Sequence, residues 1–203
     1  MSNLRALEPD EIEQFDELFG ELAALAGFVP NSLLTMARRP NLVRAFNGLA
    51  MAALRDGTVD DALKAMVAHV ASAAAGCRYC EAHTAATAAG RGVDDNRLAA
   101  IWDFEHDERF TDAERAALRL ARDAAQVPNV VTPAHFDALH EHFDDGEIVE
   151  LVGVIATFGF LNRWNDTFAT TLEEHPTNVA ERTLAERGWA AGKHGPGTRA
   201  AQP

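Results

Sequence analysis

Between residues 9 and 189 the apolar side chains return every three or four positions and almost never alternate. An α-helix needs that period to bury one face, whereas a half-buried strand needs a period of two. The chain is therefore read as all-α. Ala, Leu, Glu and Arg crowd most segments, in line with helix preference. Capping and stop residues divide the pattern into segments. An amphipathic helix is expected over 9–28, with Ile12, Phe15, Leu18, Leu22 and Leu25 on one face, ended by Gly27 and Pro30. A short helix over 31–38 follows, and Pro40 opens another to Leu54. Thr58 is expected to cap a helix running to Ala75, with Asp61 in the capping-box position. Gly76 stops it, so that Cys77 opens a helix to about Ala89. Further helices are expected over 94–104, from the Thr111/Glu114 capping box to Gln126, and from Thr132-Pro133 to Phe143. Asp144 and Glu147 open the longest, reaching about Glu173. It is apolar nearly all round and is expected to be buried on most sides. A last helix covers 178–189. Residues 1–189 are read as one domain and 190–203 as a disordered tail.

The chain has 203 residues and a mass of 22.0 kDa, enough for a sizeable core. A net charge of −13 opposes nucleic acid and anionic membrane surfaces, so neither is expected as a partner. No basic region followed by an apolar stretch opens the sequence, and the most apolar run, 148–161, carries Glu150 and is too short to span a bilayer. A cytoplasmic location is expected. In that reducing compartment two thiols are poor candidates for a purely structural disulfide.

The two cysteines of the chain, Cys77 and Cys80, lie three apart in Gly76-Cys77-Arg78-Tyr79-Cys80-Glu81-Ala82-His83-Thr84. A thiol in the first turn of a helix feels the positive end of the dipole, and Arg78 adds a charge; both favour thiolate. Cys80 is one turn on, within disulfide reach, and His83 is one turn further, where it can act as a base. Three readings stay open. The pair is a redox dithiol, or half of a zinc site completed by His83 and His69, or two inert core thiols. A redox dithiol needs no cofactor or metal, and the same pair would serve either a peroxidase or a general disulfide reductase. His69, among Met66, Val67 and Val70, is either a core histidine or a proton relay. Glu81 is read as a solvated carboxylate and Tyr79 as packing. His135, His140 and His142 lack zinc-helix spacing and read as surface residues. Asn162, Arg163, Trp164, Asn165 and Asp166 form a polar cluster ending an apolar helix, read as an interhelical network or a pocket lining. An internal echo at an offset of 85 sets Met66 on Leu151, Val70 on Ile155, Cys77 on Asn162 and Cys80 on Asn165, as an old helix duplication or a chance likeness of two apolar helices.

The run from Leu63 to Ser72, followed by Gly76 to Thr84, resembles the carboxymuconolactone decarboxylase family, in its alkylhydroperoxidase D-like branch. Phe28-Val29-Pro30-Asn31, Arg39-Pro40-Asn41-Leu42, Phe110 to Arg115 and Leu161 to Asp166 extend the likeness over about residues 10–175. The resemblance implies a helical bundle that assembles as a dimer, trimer or hexamer. It implies thiol-dependent reduction of a hydroperoxide and re-reduction by a dithiol partner, dihydrolipoyl or thioredoxin-like. It makes Cys80 the attacking thiol and Cys77 the resolving one, the reverse of the helix-dipole argument. Three positions depart from the branch. Its glutamate twelve residues before the first cysteine is Ala65 here, and its histidine four residues after the second is Thr84, with His83 one place early. Tyr79 also replaces a histidine between the cysteines. His69, one turn after Ala65, is the residue expected to take over the relay to His83.

Overall fold

The computed structural model describes residues 2–8, 11–12, 15, 18–20 and 28–196. Most of the helix expected over 9–28 and the last seven residues of the expected tail lie outside them. The described residues hold helices and no strand. In order they are α1 (Asn31–Met36), α2 (Pro40–Leu54), α3 (Asp61–Ala74), α4 (Arg78–Gly90), α5 (Asp95–Ala100), α6 (Asp112–Ala124), α7 (Pro133–His140), α8 (Asp145–Phe168) and α9 (Glu174–Leu184). Short 3-10 turns follow α5 and α9 and close the described chain at Gly192–His194. None of these helices is long and apolar enough to cross a membrane.

Helix α3 is the centre, packed by α4, α6 and α8. Every residue from Leu63 to Ser72 is buried. Its alanines at 65, 68 and 71 leave no bulk, so three neighbours can close on it at once. This corrects the expectation for α8, which is not buried on most sides. Val149 is 70% exposed, and Val152 and Phe160 also face outward. Both helices are apolar enough for the centre; the one with small side chains takes it.

Asp60, not Thr58, caps α3, accepting from Ala62 N–H and Leu63 N–H. Thr58 and Val59 instead donate their backbone N–H groups to Glu150 on α8. The same carboxylate pairs at 2.8 Å with Lys64, which is almost wholly buried. Gly57 lies at φ +102° beneath it, where any Cβ would strike the carboxylate. The capping boxes at Thr111/Glu114 and Asp144/Glu147 form as expected.

Helix α8 stops at Phe168, short of the expected end, because Ala169 takes a left-handed conformation. The chain turns back, and Glu173 becomes the residue that precedes α9. Helix α9 lies along α4 and is tied to α5 by Arg182 on Asp95. Residues 190–196, expected to be disordered, fold back instead. His194 is buried and donates from Nδ1 to Thr170 O at 2.8 Å, while Leu172 N–H bonds His194 O.

Candidate active site

Gly76 at φ +76° ends α3 with Cys77 N–H returned to Ser72 O, and this turn delivers Cys77 as the N-cap of α4. Its sulfur accepts the Cys80 N–H at 3.4 Å, where a serine or threonine oxygen usually serves. The Cys80 sulfur receives Nδ2–H of Asn165, from α8, also at 3.4 Å. Both residues are free thiols, 1% and 2% exposed. Around them Tyr79, Ala82 and Ala85 pack against Leu172, Val179, Ala180 and Leu184.

The two sulfurs hold protons unequally. The hydrogen bond from Cys80's thiol pulls Cys77 below its ordinary value; burial opposes this, and the Cys80 N–H adds to it. Burial pushes Cys80 well above its ordinary value, the neighbouring Cys77 sulfur adds to that, and only Asn165 opposes it. Cys77 is therefore the more acidic of the two sulfurs, and Cys80 holds its proton more tightly. That order agrees with the N-cap argument and not with the one the resemblance implies.

The histidines do not meet. His83 Nε2 bonds Glu173 Oε2 at 2.6 Å, and its ring stacks on Tyr79 with centroids 4.3 Å apart. The Tyr79 hydroxyl donates to the other oxygen of Glu173 at 2.9 Å, and Asn31 N–H donates to it as well. His83 makes no hydrogen bond to either sulfur. His69 lies on the other helix, its Nδ1 3.2 Å from both Glu81 O and Thr84 Oγ1. A carbonyl only accepts, so Nδ1 carries the proton and the buried Nε2 has a bare lone pair without partner. His69 thus reaches position 84, where the resemblance places a histidine. The zinc ligand set is not assembled, and no group of three metal-ligating side chains converges among the described residues. Glu81 is buried rather than solvated, and Arg78 neutralises it at 2.8 Å instead of serving the thiols.

Two residues complete the site without having been assigned to it. Asn165 stands in the polar cluster and at the echo position of Cys80, and it meets that residue directly. Glu173 carries no motif; only the early stop of α8 brings it to α4.

The family model for the carboxymuconolactone decarboxylase family matches residues 40–123. The apo structure of the debrominase Bmp8 is 31% identical, covering 89% of this chain and 97% of that one at a TM-score of 0.79. A cysteine-to-alanine variant of Bmp8 in complex with 2,3,4-tribromopyrrole is 30% identical over 89% and 96%, with a TM-score of 0.83. The chain belongs to the carboxymuconolactone decarboxylase family. A peroxidase-related protein with an alkylhydroperoxidase AhpD core, from Ralstonia eutropha JMP134, is 28% identical over 86% of this chain and 94% of its own, with a TM-score of 0.74. No curated protein matches. Within the carboxymuconolactone decarboxylase family this chain keeps the cysteine pair of the AhpD-like proteins on an all-helical fold.

Burial holds His69 neutral, its pKa lowered from 6.5 to about 4, with the Glu81 carbonyl opposing. Between those values the unfolded chain binds a proton that the folded chain refuses, so stability falls as the pH drops through that window. The loss from this one residue is about 3 kcal/mol. Denaturant midpoints at pH 7 and pH 4.5 are expected to differ less for His69→Leu than for the parent. Parallel acid losses would place the proton elsewhere.

Proposed function

We propose that this chain is a dithiol reductase of organic hydroperoxides, with Cys77 the attacking sulfur and Cys80 the resolving one. The place of Cys77 at the N-cap of α4, its sulfur on the Cys80 N–H and one turn from the Cys80 thiol, carries the reading, supported by the AhpD-core relative. A thiolate on Cys77 attacks the terminal oxygen of R–O–O–H, the O–O bond breaks, and Cys77 becomes a sulfenic acid. The leaving alkoxide takes the proton of Cys80 and departs as alcohol. The new Cys80 thiolate then attacks the Cys77 sulfur, forming the disulfide and expelling hydroxide, which solvent protonates. A dithiol partner of dihydrolipoyl or thioredoxin type returns two electrons and two protons through a mixed disulfide. Asn165 donates to the Cys80 sulfur while it bears charge. His83, bound to Glu173, holds the α4 terminus through Tyr79 and takes no proton from sulfur.

The test is a thiol count by mass before and after one equivalent of cumene hydroperoxide. Both thiols are expected to disappear with a mass loss of about 2 Da, restored by a dithiol. Two thiols surviving the treatment sink the reading. The relation to Bmp8 favours a second reading, in which the same two electrons reduce a carbon–halogen bond. A brominated pyrrole that oxidises the pair where hydroperoxide does not would select it.

A further inference from the structure

A cleft of about 680 Å³ opens between the C-terminal ends of α3 and α6 and the exposed side of α8. Small-molecule sites are commonly about 300–1,000 Å³. Along α8 its wall carries Ile155, Ala156 and Phe160, followed by the buried Asn162, by Arg163 and by Asp166, which is exposed and paired with Lys193. Neither sulfur lines the cleft, but two stretches of chain lead from it to the dithiol. Ala75, in the opposite wall, is followed directly by Gly76 and Cys77. Asn162 lies one helical turn before Asn165, whose amide touches the Cys80 sulfur. The charge of Asp166 is felt by both thiols: it adds in small part to the rise at Cys80 and opposes in small part the lowering at Cys77.

Asn162 is 4% exposed, yet neither its Nδ2 nor its Oδ1 has a hydrogen-bond partner. Buried amides are nearly always satisfied, so one with both ends idle needs a reason. No hydrogen bond holds this carboxamide in place, so it can turn toward the cleft, offering a donor and an acceptor side by side. A hydroperoxide head carries the complement, one O–H to give and two oxygens to receive.

We propose that this cleft is the substrate site, that Asn162 binds the –O–O–H group, and that the apolar wall of α8 selects hydroperoxides with a compact hydrophobic body. The assignment rests on the hydroperoxide reading above and adds to it a place and a preference. Hydrogen peroxide has no body for the wall to hold, and an aryl-alkyl hydroperoxide does.

Ala156→Trp fills the cleft without touching the dithiol. Its ratio of kcat/KM for cumene hydroperoxide over hydrogen peroxide is expected to fall at least about tenfold relative to the parent. Asn162→Leu removes the amide at similar volume and is expected to lower kcat/KM for both peroxides about tenfold. Equal losses on the two peroxides in Ala156→Trp, or none on cumene hydroperoxide, overturn the cleft. Calorimetric titration of the Cys77→Ser, Cys80→Ser protein with cumene hydroperoxide needs no turnover and separates the two failures. Binding that Ala156→Trp abolishes, in a protein whose parent never loses its thiols, keeps the cleft and removes the hydroperoxide chemistry. Turnover in the parent with binding indifferent to Ala156→Trp keeps the chemistry and removes the cleft.

Discussion

Cys77→Ser is expected to consume no hydroperoxide, a loss on the order of 10³-fold or more, whereas Cys80→Ser should react once per chain and stop. The asymmetry follows from where the proton sits. Cys77 is the N-cap of α4, accepts the Cys80 N–H at 3.4 Å and has its pKa lowered by the Cys80 thiol. It is the more acidic of the two sulfurs. Cys80 is buried away from water with its pKa raised, and it becomes a thiolate only after giving its proton to the departing alkoxide. Without Cys80 the sulfenic acid on Cys77 has no partner, so a burst of one equivalent and a dimedone adduct on Cys77 are the expected readouts. The order carried by the family resemblance yields the mirror image, a burst in Cys77→Ser and an adduct on Cys80. One pair of variants decides between them.

What the sequence disclosed is what neighbouring residues settle among themselves. Thr111 with Glu114, Asp144 with Glu147, Pro40, and Gly76 ahead of Cys77 each act within one turn, and each boundary falls where those residues put it. The all-helical class follows from periodicity for the same reason. Failures appear where a distant residue takes a local one. Thr58 would have capped α3, but Glu150, 92 positions away, accepts its N–H, and Asp60 caps instead. His83 is spaced to serve Cys80, but Glu173, 90 positions away, holds it. Helices α3 and α8 are both apolar enough to be central, and packing against three neighbours, not hydropathy, picks the alanine-rich one. The cysteine pair was legible because its chemistry is local. Glu173 was not, because its role exists only after α8 stops early.

Glu173→Ala is expected to lose about 3–5 kcal/mol of stability at pH 7, read as a lowered denaturant midpoint. This carboxylate accepts from Asn31 N–H at the head of α1 and from Tyr79 and His83 on α4, and it precedes α9. Alanine leaves the buried Tyr79 hydroxyl and half-buried His83 without their acceptor, and an orphaned buried donor costs about 1–3 kcal/mol. Glu173→Gln keeps an acceptor and the shape but discards the charge, so its loss should be smaller. The pH dependence separates charge from shape. Burial pushes the Glu173 carboxyl up, but the hydrogen bond and charge of His83 and the Asn31 N–H outweigh it and hold it below its ordinary 4.5. The folded chain therefore takes up this proton less readily than the unfolded one. The stabilisation is complete above that ordinary value and is lost as pH falls through the folded one. The parent should shed stability in acid more steeply than Glu173→Gln below pH 4.5, whereas the His69 limb begins near 6.5, so the two are resolved on one titration. A Glu173→Ala protein as stable as its parent at pH 7 would mean that Tyr79 and His83 find other partners. The α4 terminus, and with it the geometry of the dithiol, would then not depend on this carboxylate.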